Sequence, residues 1–288
     1  MKNAVKILLF LILPLSAFSQ ESFSSFREKG NKSLDDQKYQ EAVSFFLKAI
    51  ELGTENKADL AWTSSIAAIC ALQIKDTTNA IFFFETAIKN NCNQEDIYER
   101  FLNLAQQRND LNREEIILKQ AGKNIAEGGN KYTIKLLNFY FNNKFYEKAI
   151  LLADQPLSAS INPEQVIVLK AHALIKTGKS NEAIQILEKF NVDHPDSFES
   201  LKQLGLICYE KAYALNLKAK NDYKKLIKPS MSDYNNYLAR GKSTTEDFKR
   251  ALPYLEKAYQ IKADGIVKNV LYNTYIKLGN KEKASKYK

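Results

Sequence analysis

The sequence is poor in the residues that build most active sites. Among 288 residues there are two histidines, three cysteines and one tryptophan. A zinc site or a Cys/His catalytic pair would have to draw on nearly that whole stock. His172 and His194 have no spaced Cys, Asp or Glu to complete a ligand set. There is no Gly-rich phosphate loop, no H-E-x-x-H and no G-x-S-x-G, so no motif points to nucleotide, metal or acyl-transfer chemistry. Ten glycines and six prolines are too few turn-formers for a sandwich or barrel of many short strands. Helix is the default, and no enzyme activity, metal or cofactor is expected.

Long apolar runs are also scarce. The most apolar stretch, Ile7 to Leu15, is shorter than the roughly 20 residues that span a bilayer. It follows Lys2 and Lys6 and precedes Ala17-Phe18-Ser19, the order of a secretory signal peptide. Residues 1–19 are therefore expected to be removed, leaving Gln20 first in an exported chain, periplasmic or extracellular. The full sequence carries a net charge of +9, and the leader contains two lysines and no acid, so the remainder carries +7.

What the chain does contain is repetition. With Ala42 as a marker, counterparts fall at Ala80, Glu114, Ala149, Ala183, Ala251 and Ala284, at intervals of 38, 34, 35, 34, 68 and 33 residues. Since 68 is twice 34, the phase survives one skipped marker. Each unit also carries an upstream apolar stretch at helical spacing, such as Ile167, Ala171 and Leu174, so each is two amphipathic helices. One helical hairpin cannot bury its own apolar face, so small residues let helices approach while aromatics reach the next unit. Turn-formers stand where the hairpins should reverse: Asp35-Asp36-Gln37, Asp76-Thr77-Thr78, Asn142-Asn143-Lys144, Gly178-Lys179-Ser180 and Gly279-Asn280-Lys281.

In these residues the chain resembles the tetratricopeptide repeat (TPR) family. Residues 23–56 fill the family's slots with Phe26, Gly30, Tyr39, Ala42, Phe46 and Ala49, and residues 164–197 with Ala171, Gly178, Ala183, Leu187 and Pro195. The unit at 95–128 is degenerate, with Glu114 at a small-residue position. The resemblance implies an all-α, right-handed superhelical solenoid of about six and a half repeats over residues 20–288, read as one domain. The leader and the irregular sixth unit further resemble exported TPR proteins of Gram-negative Bacteroidetes-type bacteria.

The skipped marker leaves residues 211–247 open to two readings, a degenerate extra repeat or an extended helical hairpin. The absence of a breaker from Gly205 to Ile227 favours the hairpin, with its tip at Lys228-Pro229-Ser230-Met231-Ser232. Pro253 then predicts a kink or a late start in the returning helix. The extension holds Lys218, Lys220, Lys224, Lys225 and Lys228 against Asp222. Lys220, Lys224 and Lys228 are spaced as a basic helical stripe.

The family's binding slots carry over as Arg27 and Asn31, Glu99 and Asn103, Ile134 and Asn138, Val168 and His172, Lys202 and Leu206, and Asn269 and Asn273. By resemblance, these line a concave groove that takes a peptide or protein partner, with Asn side chains bonding its backbone. Arg27, Asn31 and Arg100 match part of a carboxylate clamp, while Ile66 and Asp96 depart from it. The expected role is a protein-interaction scaffold of the cell envelope, with no nucleic-acid partner. The alternative is a small ligand in the groove, or an anionic envelope surface met by the basic stripe, as an accessory to an enzyme or a transport or secretion assembly. Cys70, Cys92 and Cys208 are expected to be reduced, because an antiparallel hairpin places Cys70 and Cys92 too far apart to bridge.

Overall fold

The computed structural model describes residues 21–126, 128–155 and 162–288; the leader expected at 1–19 lies outside them. The described residues form 14 α-helices and no strand. They divide into two compact units, Met1–Gly129 and Asn130–Lys288.

The first unit holds α1 (Phe23–Asp35), α2 (Tyr39–Leu52), α3 (Lys57–Gln73), α4 (Thr77–Lys89), α5 (Glu95–Gln107) and α6 (Leu111–Asn124). Within this unit each of α1 to α5 packs on the next in sequence. Short polar side chains start several of these helices: Ser22, Asn56, Asp76 and Asp110 each accept a hydrogen bond from a first-turn amide, as preferred caps do. Asp76 thus ends the turn expected at Asp76-Thr77-Thr78, which lies one or two residues earlier, and α4 begins at Thr77. The core follows the repeat. Ala42, Phe46, Ala49, Ala80, Phe84 and Ala87 are fully buried, and Phe84 stacks on Phe101 of the following repeat at 5.0 Å between ring centroids.

The second unit contains α7 (Gly129–Asn142), α8 (Tyr146–Ala153), α9 (Pro163–Lys176), α10 (Ser180–Asp193), α11 (Phe198–Lys224), α12 (Met231–Ile261), α13 (Gly265–Lys277) and α14 (Lys281–Ser285). Its principal core joins Ala171, Leu174, Ala183, Leu187, Leu204, Ala251, Leu255 and Leu271. Ala149, Ala183, Ala251 and Ala284 are buried markers, as are Ala42 and Ala80, whereas Glu114 is half-buried and accepts the Gln106 amide at 2.9 Å.

The repeat phase has a backbone signature as well. Five residues before a marker the chain turns left-handed, at Gln37, Lys75, Asn109, Lys144, Gly178 and Gly279. The next amide then reaches back across the turn, from Lys38 to Ser33, Asp76 to Ala71, Asp110 to Ala105, Phe145 to Tyr140, Lys179 to Leu174 and Asn280 to Tyr275, at 2.8–3.0 Å. That bond captures a carbonyl orphaned at the helix end.

The Ala251 marker has no such turn, because it lies inside the 31-residue α12. Residues 211–247 fall in the distal parts of α11 and α12 and the loop that joins them. These helices pair in one unbroken antiparallel register. Gly205 lies against Leu255, Asn216 donates to Thr244 at 3.3 Å, and Tyr223 stacks on Tyr237 at 4.9 Å. Along α11, Ala212, Asn216, Ala219 and Tyr223 face this seam at alternating steps of four and three, the spacing of a coiled-coil stripe. Pro253 sits inside α12 without ending it, so the late start does not occur. Among the described residues no helix is long and apolar enough to cross a membrane.

Candidate partner-binding faces

In the first unit, the charges expected to face a partner are engaged within the protein. Arg27 on α1 bonds Asp59 on α3 at 2.8 Å and lies over the Phe23 ring at 5.5 Å. Its guanidinium fastens neighbouring first helices together. Arg100 pairs with Asp96 one turn back in α5, at 3.4 Å; thus Asp96, which departs from the clamp pattern, also occupies its base. Asn31 is half-buried and Asn103 exposed, with Glu99 half-buried beside it.

In the second unit, Ile134 and Asn138 lie on α7, Val168 and His172 on α9, and Lys202 and Leu206 on α11, all half-buried. The Asn138 amide donates to the Ile134 carbonyl of its own helix at 2.9 Å, which removes a donor expected to serve a peptide. His172 stands against the Phe141 ring at 5.8 Å. Lys202 reaches Asp264 at 3.1 Å, tying α11 to the start of α13. Asp264 also caps α13 by accepting the amides of Ile266 and Val267. The Val267 amide bond, with help from Lys202, holds the Asp264 carboxyl below the usual carboxylate range.

Asn269 and Asn273 are different, because they border open space. Asn273 donates to Asn269 at 2.6 Å, which leaves the Asn269 amide hydrogens and the Asn273 carbonyl without a side-chain partner among the described residues. Beside them is an open cleft of about 450 Å³, also lined by Lys268, Tyr272, Tyr287 and Lys288. Tyr287 comes from beyond α14 and stacks on Tyr275 at 5.8 Å. The repeat pattern signals the two asparagines but not the tyrosines and lysines that complete the cleft, since these lie outside the family slots.

The basic stripe is shorter than expected. Helix α11 ends at Lys224, so Lys220 and Lys224 share a helix face and Lys228 lies in the loop beyond it. All three are exposed. A smaller cleft of about 180 Å³ near this end is lined by Asp222, Asp233 and Arg240 together with Tyr223 and Tyr237. Arg240 pairs there with Asp222 at 3.1 Å, and Asp233 is held in the capping box with Ser230.

The three thiols are free and buried. Cys92 sits against Ser65 at 3.4 Å, opposite the middle of α3 rather than its start. Cys70 is five residues further along, roughly 7.5 Å of helix rise, and the thiols remain unbridged.

Residues 164–190, which span α9, its turn and most of α10, match the tetratricopeptide repeat family. In structure the chain is similar to a putative protein binding protein from Bacteroides ovatus, with a TM-score of 0.50, 20% identity, and 72% of this chain and 96% of that one covered. It is also similar to a TPR repeats protein from Bacteroides fragilis, with a TM-score of 0.45, 16% identity, and 88% and 98% covered. No curated protein sequence matches it. The chain therefore carries a tetratricopeptide repeat at 164–190 within an all-helical, TPR-like array of sequentially packed helices.

Proposed function

We propose that the protein is a non-enzymatic interaction scaffold, exported to the cell envelope, that takes an extended segment of a peptide or protein partner against the first-helix side of its repeats. The observation that carries this reading is the cleft on α13. Asn269 and Asn273 present one amide donor and one carbonyl acceptor side by side, the complement of a peptide unit. Tyr272 and Tyr287 offer flat apolar area, and Lys268 and Lys288 add positive charge. The cleft is open, which suits a chain passing through better than a small molecule enclosed on all sides.

The test is a peptide-display selection on the immobilised protein, followed by affinity measurements on the selected peptides. Asn269→Ala with Asn273→Ala should weaken binding about fivefold or more, the loss of one or two net hydrogen bonds. Lys268→Glu should weaken acidic peptides selectively. Failure to select any peptide, or peptides indifferent to both changes, overturns the reading. For export, the mass of the chain recovered from the envelope fraction should correspond to Gln20 at its N-terminus.

A further inference from the structure

The end of the α11–α12 hairpin combines two surfaces that soluble proteins usually keep apart. At its apex Ile227 is 97% and Met231 74% exposed, with Leu226 also open to solvent. Around them stand Lys220, Lys224, Lys225 and Lys228, all exposed. The acids of this region are already occupied. Asp222 holds Arg240, and Asp233 closes a capping box by accepting from the Ser230 backbone amide at 2.8 Å and from its hydroxyl at 2.6 Å. None of the four lysines has a carboxylate partner among the described residues. Residues 218–240 thus carry six bases against two acids.

The apex is also held in place. The capping box fixes the start of α12, while Tyr223 packs between Tyr234 at 6.2 Å and Tyr237 at 4.9 Å just below the loop. The apolar side chains therefore project from a supported end.

We propose that this apex docks on an anionic lipid bilayer, with Ile227 and Met231 entering the interface and Lys224, Lys225 and Lys228 lying over the headgroups. Charge complementarity selects the partner's sign, since the unpaired groups are basic. The projecting apolar residues select its kind: a convex apex fits a deformable acyl layer, whereas a folded acidic protein would have to offer a preformed pocket. Apolar insertion backed by basic residues is the usual way a peripheral protein holds a membrane surface. The proposal does not depend on the α13 cleft.

The experiment is cosedimentation of the full chain with vesicles of phosphatidylcholine alone or mixed two to one with phosphatidylglycerol, at low and high salt. All variants share residues 1–19, so any contribution of that apolar run is common to them. Binding should require phosphatidylglycerol and weaken with salt. Lys224→Glu with Lys225→Glu and Lys228→Glu should reduce it at least about 100-fold, roughly fivefold for each lysine. Ile227→Ser with Met231→Ser should reduce it at least about tenfold. All five positions are exposed, so circular dichroism should be unchanged. In a Trp62→Phe background, the indole of Ile227→Trp should blue-shift on binding and be quenched by chain-brominated lipid. No binding to the anionic vesicles overturns the proposal. So does binding without quenching, or binding that survives the Ile227 and Met231 changes; either leaves only a charged contact, such as an acidic polypeptide could make.

Discussion

Gly30 lies so close beneath Phe46 that a Cβ on it would come within 2.6 Å of the ring. Helices α1 and α2 meet there, and the same relationship recurs where a Cβ on Gly205 would come within 2.6 Å of the Leu255 side chain. Leu255 and Phe46 each stand four residues after a marker alanine, and both are fully buried. Ala is better than Gly in a helix by about 1 kcal/mol, but overpacking a filled core costs about 1–3 kcal/mol. We expect Gly30→Ala to destabilise the first unit in urea melts. Gly241→Ala in α12, where a Cβ would meet nothing within 4 Å, should stabilise the second. A stabilised Gly30→Ala would mean that Phe46 moves aside freely.

Four of the six left-handed turn residues carry a side chain: Gln37, Lys75, Asn109 and Lys144. An L-residue in this conformation costs about 1–2 kcal/mol, part of which glycine gives back through its more flexible unfolded chain. Lys75→Gly and Lys144→Gly should therefore each raise stability by up to about 1 kcal/mol. Gly178→Ala, at φ 80°, should lower it by about 1 kcal/mol. Paired melts of the three variants test the turn conformation directly.

The alanine markers were legible in the sequence because burial at a helix crossing restricts a position to small side chains, so the restriction repeats with the fold. The turns were legible at Gln37, Lys144, Gly178 and Gly279, which fall within the expected breaker clusters; Lys75 precedes its cluster and Asn109 stands where none was expected, because the back-reaching amide at each turn tolerates Lys or Asn as well as Gly. Site residues were legible only as slots. Asn138 occupies its slot but spends its donor on Ile134, and Arg27 spends its charge on Asp59; both depend on neighbours that a repeat pattern does not encode. The reading of Lys228 as part of a helical stripe assumed that α11 continued, whereas it stops at Lys224. Tyr287 reaches the α13 cleft from outside the slots altogether.

Burial pushes the thiols of Cys70 and Cys208 up to about 11. An unfolded chain releases such protons near about pH 8.5. Between these values the folded state binds more protons than the unfolded one, so stability falls as pH rises. The contribution is complete below about 8.5 and is lost through about 11, at up to about 1.4 kcal/mol per pH unit for each thiol. Urea melts at about pH 8 and about pH 10 should show this loss, and Cys70→Ala and Cys208→Ala should each flatten the dependence in their own unit. Denatured without reductant, the protein should take up three maleimide labels, one for each free cysteine. A single label would reveal an intramolecular disulfide.

Asp264 performs two tasks that substitution can separate. Its carboxylate caps α13 through the Ile266 and Val267 amides and receives Lys202 of α11 at 3.1 Å, with both side chains less than one-fifth exposed. Asn caps as well as Asp does, whereas loss of a cap to Ala costs about 0.5–2 kcal/mol. Asp264→Ala should therefore destabilise the second unit by about 1–2 kcal/mol, with a further loss because Lys202 keeps its charge without a partner. Asp264→Asn should retain the cap and show only the loss of the ion pair. The lowered carboxyl fixes the sign of the pH effect. Its contribution is fully present above the unfolded value of about 3.9 and disappears as pH falls through the lowered folded value. Wild type and Asp264→Asn should thus differ most near neutrality and converge in acid. A constant difference across that range would show that Asp264 acts through packing or capping alone, without its charge.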